Sequence, residues 1–571
     1  MAFFALGFVT ILAQVALALP SGDDAPFLEV VDSSKAIVGN SVWNATVGPN
    51  YAKPIYYNGK EIVGSAKGQY YSYAQQSRSF QFADPTIVES GDDFIDIKFT
   101  ASEGEAHWVI YRNQHGAYQY FINKDLPSTL GEWRSLSRLD NETFPNGYNS
   151  LKQGALPTLS EIESGEKVQD ETYKLDDGSY ITKYDWSDFI NSATFWGVYG
   201  DEVGCWYIHP SKEYINGDHM KQELMVHRES NTGDTVLLNM IHGLHFQTIA
   251  GHEFAEGRIW GPWLWYLNDG SIDDASAKYD EEVGSWPYSF PSADIESGHH
   301  QRAVSIEGVI TLSDGRPASG ANVMLGDNNN GEIPYEQGSN YYYRTTADSK
   351  GSFAFENVRA ATYALYAWAG NNSDVSDVST NLTVNDIEVS KTTEAQDIGD
   401  FTWGTQKRTK IWQIGDLDRL PRGFKNGCTG YHHGLSDDSP ANLNFTVNST
   451  EESEWAYAQS AEGTWQVSFE LPSAPDSDAI AVLSTSFAGY SSGVNMEITA
   501  QSGGVDVGEI NDLANDPSVY RSSTFGGLHR YEEIEVPAGT FKEGTNTIEF
   551  TVTKGSEWHG FMWDSVLLEW S

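Results

Sequence analysis

The 571-residue chain has only two cysteines, Cys205 and Cys428, which excludes a disulfide scaffold. They fall in different expected domains, so two separate buried thiols are expected rather than one bridge. Positive charge is also scarce, with 35 Lys and Arg against 80 Asp and Glu and a net charge of −45. Such a chain repels polyanions at long range and lacks the basic surface that counterion release requires, which argues against nucleic acid and anionic membranes as partners. After residues 1–18 no stretch approaches the ~20 apolar residues that span a bilayer. Heptads, solenoid repeats and long low-complexity tracts are missing too.

What is present points to an exported β-protein. Residues 1–18, MAFFALGFVTILAQVALA, read as a signal peptide ending in the small-residue pattern Ala16-Leu17-Ala18, although a cationic start is lacking. Six Asn-X-Ser/Thr sequons, at Asn44, Asn141, Asn371, Asn381, Asn444 and Asn448, are compatible with glycosylation in a secretory route. The expectation is therefore a secreted, extracellular monomer.

Aromatic residues make up 13% of the chain, and many short runs of Val, Ile, Thr and Tyr alternate with polar residues, which favours strands. The length predicts about three or four domains. Residues 19–300 read as one large antiparallel β-sandwich with few long helices, and LSEIESGEKVQ (159–169) as a short helix or an acidic loop. Strand, Asp-Gly turn and strand follow in close succession from Ala303, marking a small seven-stranded sandwich over 301–404. The Trp- and Gly-rich remainder, 405–571, suits a jelly roll.

In so acidic a chain, a site for an acidic ligand has to be assembled locally. Three stretches gather cations and aromatic rings: GEWRSLSRLD (131–140), SYITKYDWSDF (179–189) and NMIHGLHFQT (239–248). As strand or helix, the first aims Arg134 and Arg138 the same way, two forks suited to a carboxylate. The plainer reading pairs them with Glu132 and Asp140. Lys183 lies among Tyr180, Tyr184 and Trp186, where burial favours the neutral amine. Bringing its pKa from ~10.4 to 7 or 8 costs about 4 kcal/mol, which desolvation and nearby Arg cations can supply. The plainer reading is an exposed strand lysine.

Six histidines between His209 and His252 raise a zinc hypothesis, but no HExxH pattern or Cys pair accompanies them. A single imidazole, His245 in GLHFQT, is the better proton donor. Carboxylate pairs for glycoside hydrolysis can be drawn from Asp185 with Asp188 or Glu253 with Glu256.

The order of GEWRSLSRLD, TKYDWS and GLHFQT, followed by GPWLWYLNDG (261–270), resembles the rhamnogalacturonan lyases of polysaccharide lyase family 4. SIEGVITLSDGRPASGANVML (305–325) is similar to that family's fibronectin-III-like domain. IWQIGDLDR (411–419) and GFMWDSVLLEW (560–570) are similar to its carbohydrate-binding-module-like jelly roll. The resemblance implies an all-β chain whose first domain is a galactose-mutarotase-like supersandwich. It also implies β-elimination at the rhamnose to galacturonic acid α-1,4 bond of rhamnogalacturonan I. Lys183 would take the C5 proton, His245 would protonate the leaving O4, Arg138 or Arg134 would neutralise the uronate, and Tyr184 would line the substrate. No cofactor is required, and a structural calcium is compatible with the jelly roll. Fungal members carry two tyrosines shortly before the histidine; the corresponding positions are Leu238 and Met240 here. The rival classes are a glycoside hydrolase and a non-catalytic wall-binding protein.

Overall fold

A computed structural model describes residues 25–571 apart from 74–77, 129, 219, 221, 243–252, 291–296, 329–335, 338, 431–434, 477 and 522. The expected signal peptide lies outside the described residues, as does His245. The chain is all-β. Among the described residues its first part forms a ten-stranded sheet and a nine-stranded sheet. Four strands of the larger sheet position the site: β1 (Gly68–Tyr73), β2 (Trp133–Leu139), β3 (Val226–Arg228) and β4 (Thr235–His242), in the order β1-β2-β4-β3.

Side chains on a strand alternate between faces, and β2 shows why WRSLSRL folds here. Trp133, Ser135, Ser137 and Leu139 are buried toward the second sheet, while Arg134, Leu136 and Arg138 point outward. Trp133 meets Trp260 of the nine-stranded sheet edge-on, with ring centroids 4.5 Å apart, and Trp43 meets Trp265 at 5.4 Å. Between the sheets Gln69 and Gln119 exchange side-chain hydrogen bonds of 3.0 and 2.9 Å, so the buried amides are satisfied.

Both sheets are also covered outside. The strand Ile259–Asn268 is buried along its whole length because a helix, Ile272–Ser285, lies over that sheet with Ala275, beside Tyr288 and Phe290. This helix is the clear exception to the expected lack of long helices. Its signals are local: Ser271 accepts a hydrogen bond from the Asp274 N–H, and Asp273 and Asp274 complement the N-terminal dipole. The stretch from 159 starts as a helix, Leu159–Ser164, capped reciprocally by Thr158 and Glu161, then turns into a strand, Glu166–Gln169.

Residues 302–403 form a three-stranded and a four-stranded sheet around Ile306, Leu325, Phe355 and Trp403. Residues 409–570 form two five-stranded sheets around Trp455, Trp465 and Trp563. The three parts are fastened by buried contacts. The Glu213 carboxylate receives hydrogen bonds from Arg302 at 2.8 and 2.9 Å and from Arg359 at 2.7 Å. Burial would raise the Glu213 pKa, but the two guanidinium groups outweigh it and hold the carboxyl below its ordinary range. From the C-terminal part, Phe525 stacks on Phe189 at 5.0 Å, and Leu420 joins the first core. Both thiols are free, Cys205 buried and Cys428 half-buried. Among the described residues no helix is long and apolar enough to cross a membrane.

Candidate active site

The outer face of the ten-stranded sheet carries an apolar patch of Leu136, Val236, Leu238 and Met240, joined by Leu224 and Tyr70. Leu238 and Met240 thus pack in the patch and offer no hydroxyl. Arg134 and Arg138 flank it on β2, four residues and about 13 Å of strand apart. They share a face, yet each has its own partners. Arg134 donates to Glu132 at 2.9 Å and to Ser72 at 3.3 Å. Arg138 donates to the Tyr70 hydroxyl at 3.1 Å and pairs with Glu229 at 2.7 Å and Asp234 at 3.7 Å.

Lys183 opens a 3₁₀ turn, Lys183–Trp186, at the end of a three-stranded sheet. The N-cap is Thr182, whose hydroxyl accepts from the Tyr184 N–H. Backbone bonds dock the turn on the patch: the Trp186 carbonyl accepts from Met225 N–H at 3.4 Å, and the Met225 carbonyl from Leu238 N–H at 2.8 Å. The lysine is half-buried, and not on an exposed strand.

Burial lowers the Lys183 pKa below the ordinary lysine value. Asp170, Glu171 and Glu132 oppose that shift, while Arg521 adds to it. The ammonium nitrogen sits 5.3 Å from the Tyr184 ring centroid. Tyr184 donates to Asp170 at 2.7 Å, and burial, with Asp170 beside it, pushes its phenol upward. Arg521 grips the same Asp170 oxygen through two nitrogens at 3.1 Å and lies 5.4 Å from the Tyr184 ring. Glu132 binds Arg134 and is the weakest of the three acids that act on Lys183. β4 ends at His242, which bonds the Gly131 carbonyl at 2.8 Å, three residues before His245.

Glu132 is the partner expected for an arginine, but composition gave no sign of Asp170 or Glu171, because acids are everywhere in this chain. Arg521 is far away in sequence and carries no motif. Of the carboxylates considered for hydrolysis, Asp185 and Asp188 have other partners. Asp188 is buried and accepts from Ser150 N–H and hydroxyl at 2.8 and 2.6 Å and from Phe189 N–H at 2.7 Å. Asp185 lies 3.8 Å from Lys152. Among the described residues no group of three or more His, Cys, Asp or Glu side chains could hold a metal ion.

A half-buried amine of lowered proton affinity, with the Arg521 cation acting on it, can take a proton from a carbon acid beside a carboxylate. Two family profiles match the rest of the chain: "Polysaccharide lyase family 4, domain II" over residues 313–396 and "Polysaccharide lyase family 4, domain III" over 410–568. By these matches residues 313–396 and 410–568 are polysaccharide lyase family 4 domains. Among curated relatives, the rhamnogalacturonate lyase of Dickeya dadantii is 29% identical over 477 residues, covering 81% of this chain and 78% of its own. The probable rhamnogalacturonate lyase A of Aspergillus flavus is 22% identical over 568 residues, covering 96% and 94%. Rhamnogalacturonate lyase A of Aspergillus aculeatus is 22% identical over 569 residues, covering 96% and 95%.

Proposed function

We propose that this chain is a secreted rhamnogalacturonan endolyase that cleaves the rhamnose to galacturonic acid α-1,4 bond of rhamnogalacturonan I. The observation that carries the reading is Lys183: burial and Arg521 favour its neutral amine, and Glu132, the weakest of the three acids acting on it, binds Arg134. The Lys183 amine removes the C5 proton of the galacturonate. The electron pair forms the C4–C5 double bond, the C4–O4 bond breaks, and His245 protonates the departing O4. The products are a 4,5-unsaturated uronate and a new rhamnose end.

The C5 proton becomes removable only when the uronate charge is offset. Arg134, on the lysine's side of the patch, supplies that charge. Arg138, held by Tyr70, Glu229 and Asp234, extends the positive field along the sheet. Tyr184 lines the lysine. The catalytic unit covers residues 19–300, with the fibronectin-III-like unit at 301–404 and the jelly roll at 405–571. The enzyme acts as a monomer and needs no cofactor.

The test is digestion of rhamnogalacturonan I beside homogalacturonan, followed by ultraviolet absorbance of the conjugated uronate. New absorbance from the first polymer alone supports the reading. Saturated products would instead indicate hydrolysis, and polymer binding without new ends would indicate a wall-binding protein.

A further inference from the structure

On the side of the molecule where the first and middle parts meet lies a second cavity, of about 460 Å³, lined by Lys212, Arg344, Ser211, Tyr279, Tyr342 and Thr345 among others. Its size falls within the ~300–1,000 Å³ typical of small-molecule sites. None of the outer-face residues around Lys183 lines it.

Two cations line this space, and among the described residues neither has an ion-pair partner. Arg344 is partly exposed, and its Nη1 has no hydrogen-bond partner among the described residues; its guanidinium lies 5.4 Å from the Trp368 ring. Lys212 Nζ reaches only the Asn191 carbonyl, at 3.4 Å. Burial depresses the Lys212 pKa to about 8, and Arg344 repels it while Asp188 pulls the other way. The surrounding acids have other work: Glu213 holds Arg302 and Arg359, Asp418 binds Arg422 at 3.2 Å, and Asp188 holds Ser150. Glu356, at the rim, is exposed.

Holding two like charges beside one partly enclosed space without an anion is unfavourable. With 80 Asp and Glu in the chain, a partner for either cation was plentiful, so two cations left facing one cavity mark a place for an anion from outside. Phenol rings and hydroxyls on the same walls suit a sugar ring. We propose that this cavity is a ligand site, separate from the Lys183 face, for a small carboxylate-bearing sugar of the uronic acid class, its carboxylate met by Arg344 and Lys212. The inference stands whether or not the lyase reading does.

The experiment is calorimetric titration of the full chain with galacturonate at fixed ionic strength, alongside neutral galactose and inorganic phosphate. An Arg134→Gln, Arg138→Gln background, which removes both guanidinium groups of the Lys183 face, separates the two sites. Galacturonate should bind saturably in that background, galactose should not, and Arg344→Met with Lys212→Met should weaken binding about tenfold or more. Ligand-free Arg344→Met should melt no lower than the parent, because an unpaired charge beside a second cation is gone. The proposal is overturned by galacturonate failing to saturate, by galactose binding equally, by phosphate binding alone, or by the double variant keeping its affinity. A clear drop in the ligand-free melting temperature also overturns it, since the guanidinium would then have a structural role.

Discussion

Exchanging charges around Lys183 should move the acid limb of the rate profile in opposite directions. Only the neutral amine takes a proton, so activity is present above the Lys183 pKa and lost as pH falls through it. Lys183 Nζ is 5.3 Å from the Tyr184 ring centroid and the Tyr184 hydroxyl is 2.7 Å from Asp170, which puts the carboxylate within about 11 Å of the amine. At that limit an effective dielectric constant of about 20 gives roughly 1.5 kcal/mol, or about one pKa unit. Asp170→Asn removes this stabilisation of the ammonium and leaves Arg521 uncompensated, so the limb of kcat/KM should move about one unit or more to lower pH. Arg521→Gln removes the opposing cation and should move it to higher pH. The assay is release of unsaturated uronate across pH 4 to 9 (about that range spans the relevant pKa values), with folding checked by circular dichroism. If both variants are folded and their limbs move the same way, or neither moves, Lys183 is not the titrating base.

Lys183→Ala and His245→Ala should each lower kcat by about 10²–10⁴-fold with polymer affinity largely kept; full activity in either variant removes that residue from its role. Arg134→Lys should reduce kcat/KM more than Arg138→Lys, because a point charge cannot replace a fork on the lysine's side, and the reverse order in steady-state kinetics would reassign the carboxylate contact. Glu213→Gln leaves two buried guanidinium groups without their anion and should cost about 3–5 kcal/mol, read from denaturant unfolding; an unchanged midpoint would contradict the fastening role. Burial raises Asp564 to about 7, above its unfolded value, so stability should fall as pH rises from about 4 through 7. Asp564→Asn should flatten that slope in melts at several pH values, and an unaltered slope would place the titration elsewhere.

The parts of the molecule written in local patterns were legible in the sequence. Alternation in WRSLSRL marked a strand with both arginines on one face, and the tryptophan-rich segments after 407 marked a sandwich core. The pairing of Arg134 with Glu132 was legible, but the fate of Arg138 was not, because Glu229 and Asp234 come from the hairpin that joins β3 to β4, and only pairing brings them to Arg138. The desolvation of Lys183 was legible from its aromatic neighbours, but its source of positive charge was not. That charge is Arg521, placed by the packing of the C-terminal part on the first. Asp188, chosen as a hydrolytic carboxylate from spacing alone, turned out to hold a loop at Ser150. In a chain this acidic, proximity in sequence carries little information about which acid does what.

The position of Arg521 has a consequence for how such a chain comes to life at the ribosome. A nascent polypeptide that has released its first three hundred residues already holds both β-sheets of the sandwich, yet the cation opposite Asp170 is still to be translated. The electrostatic surroundings of the amine are therefore finished by nearly the last segment to emerge, and a product truncated before it would carry a differently tuned lysine.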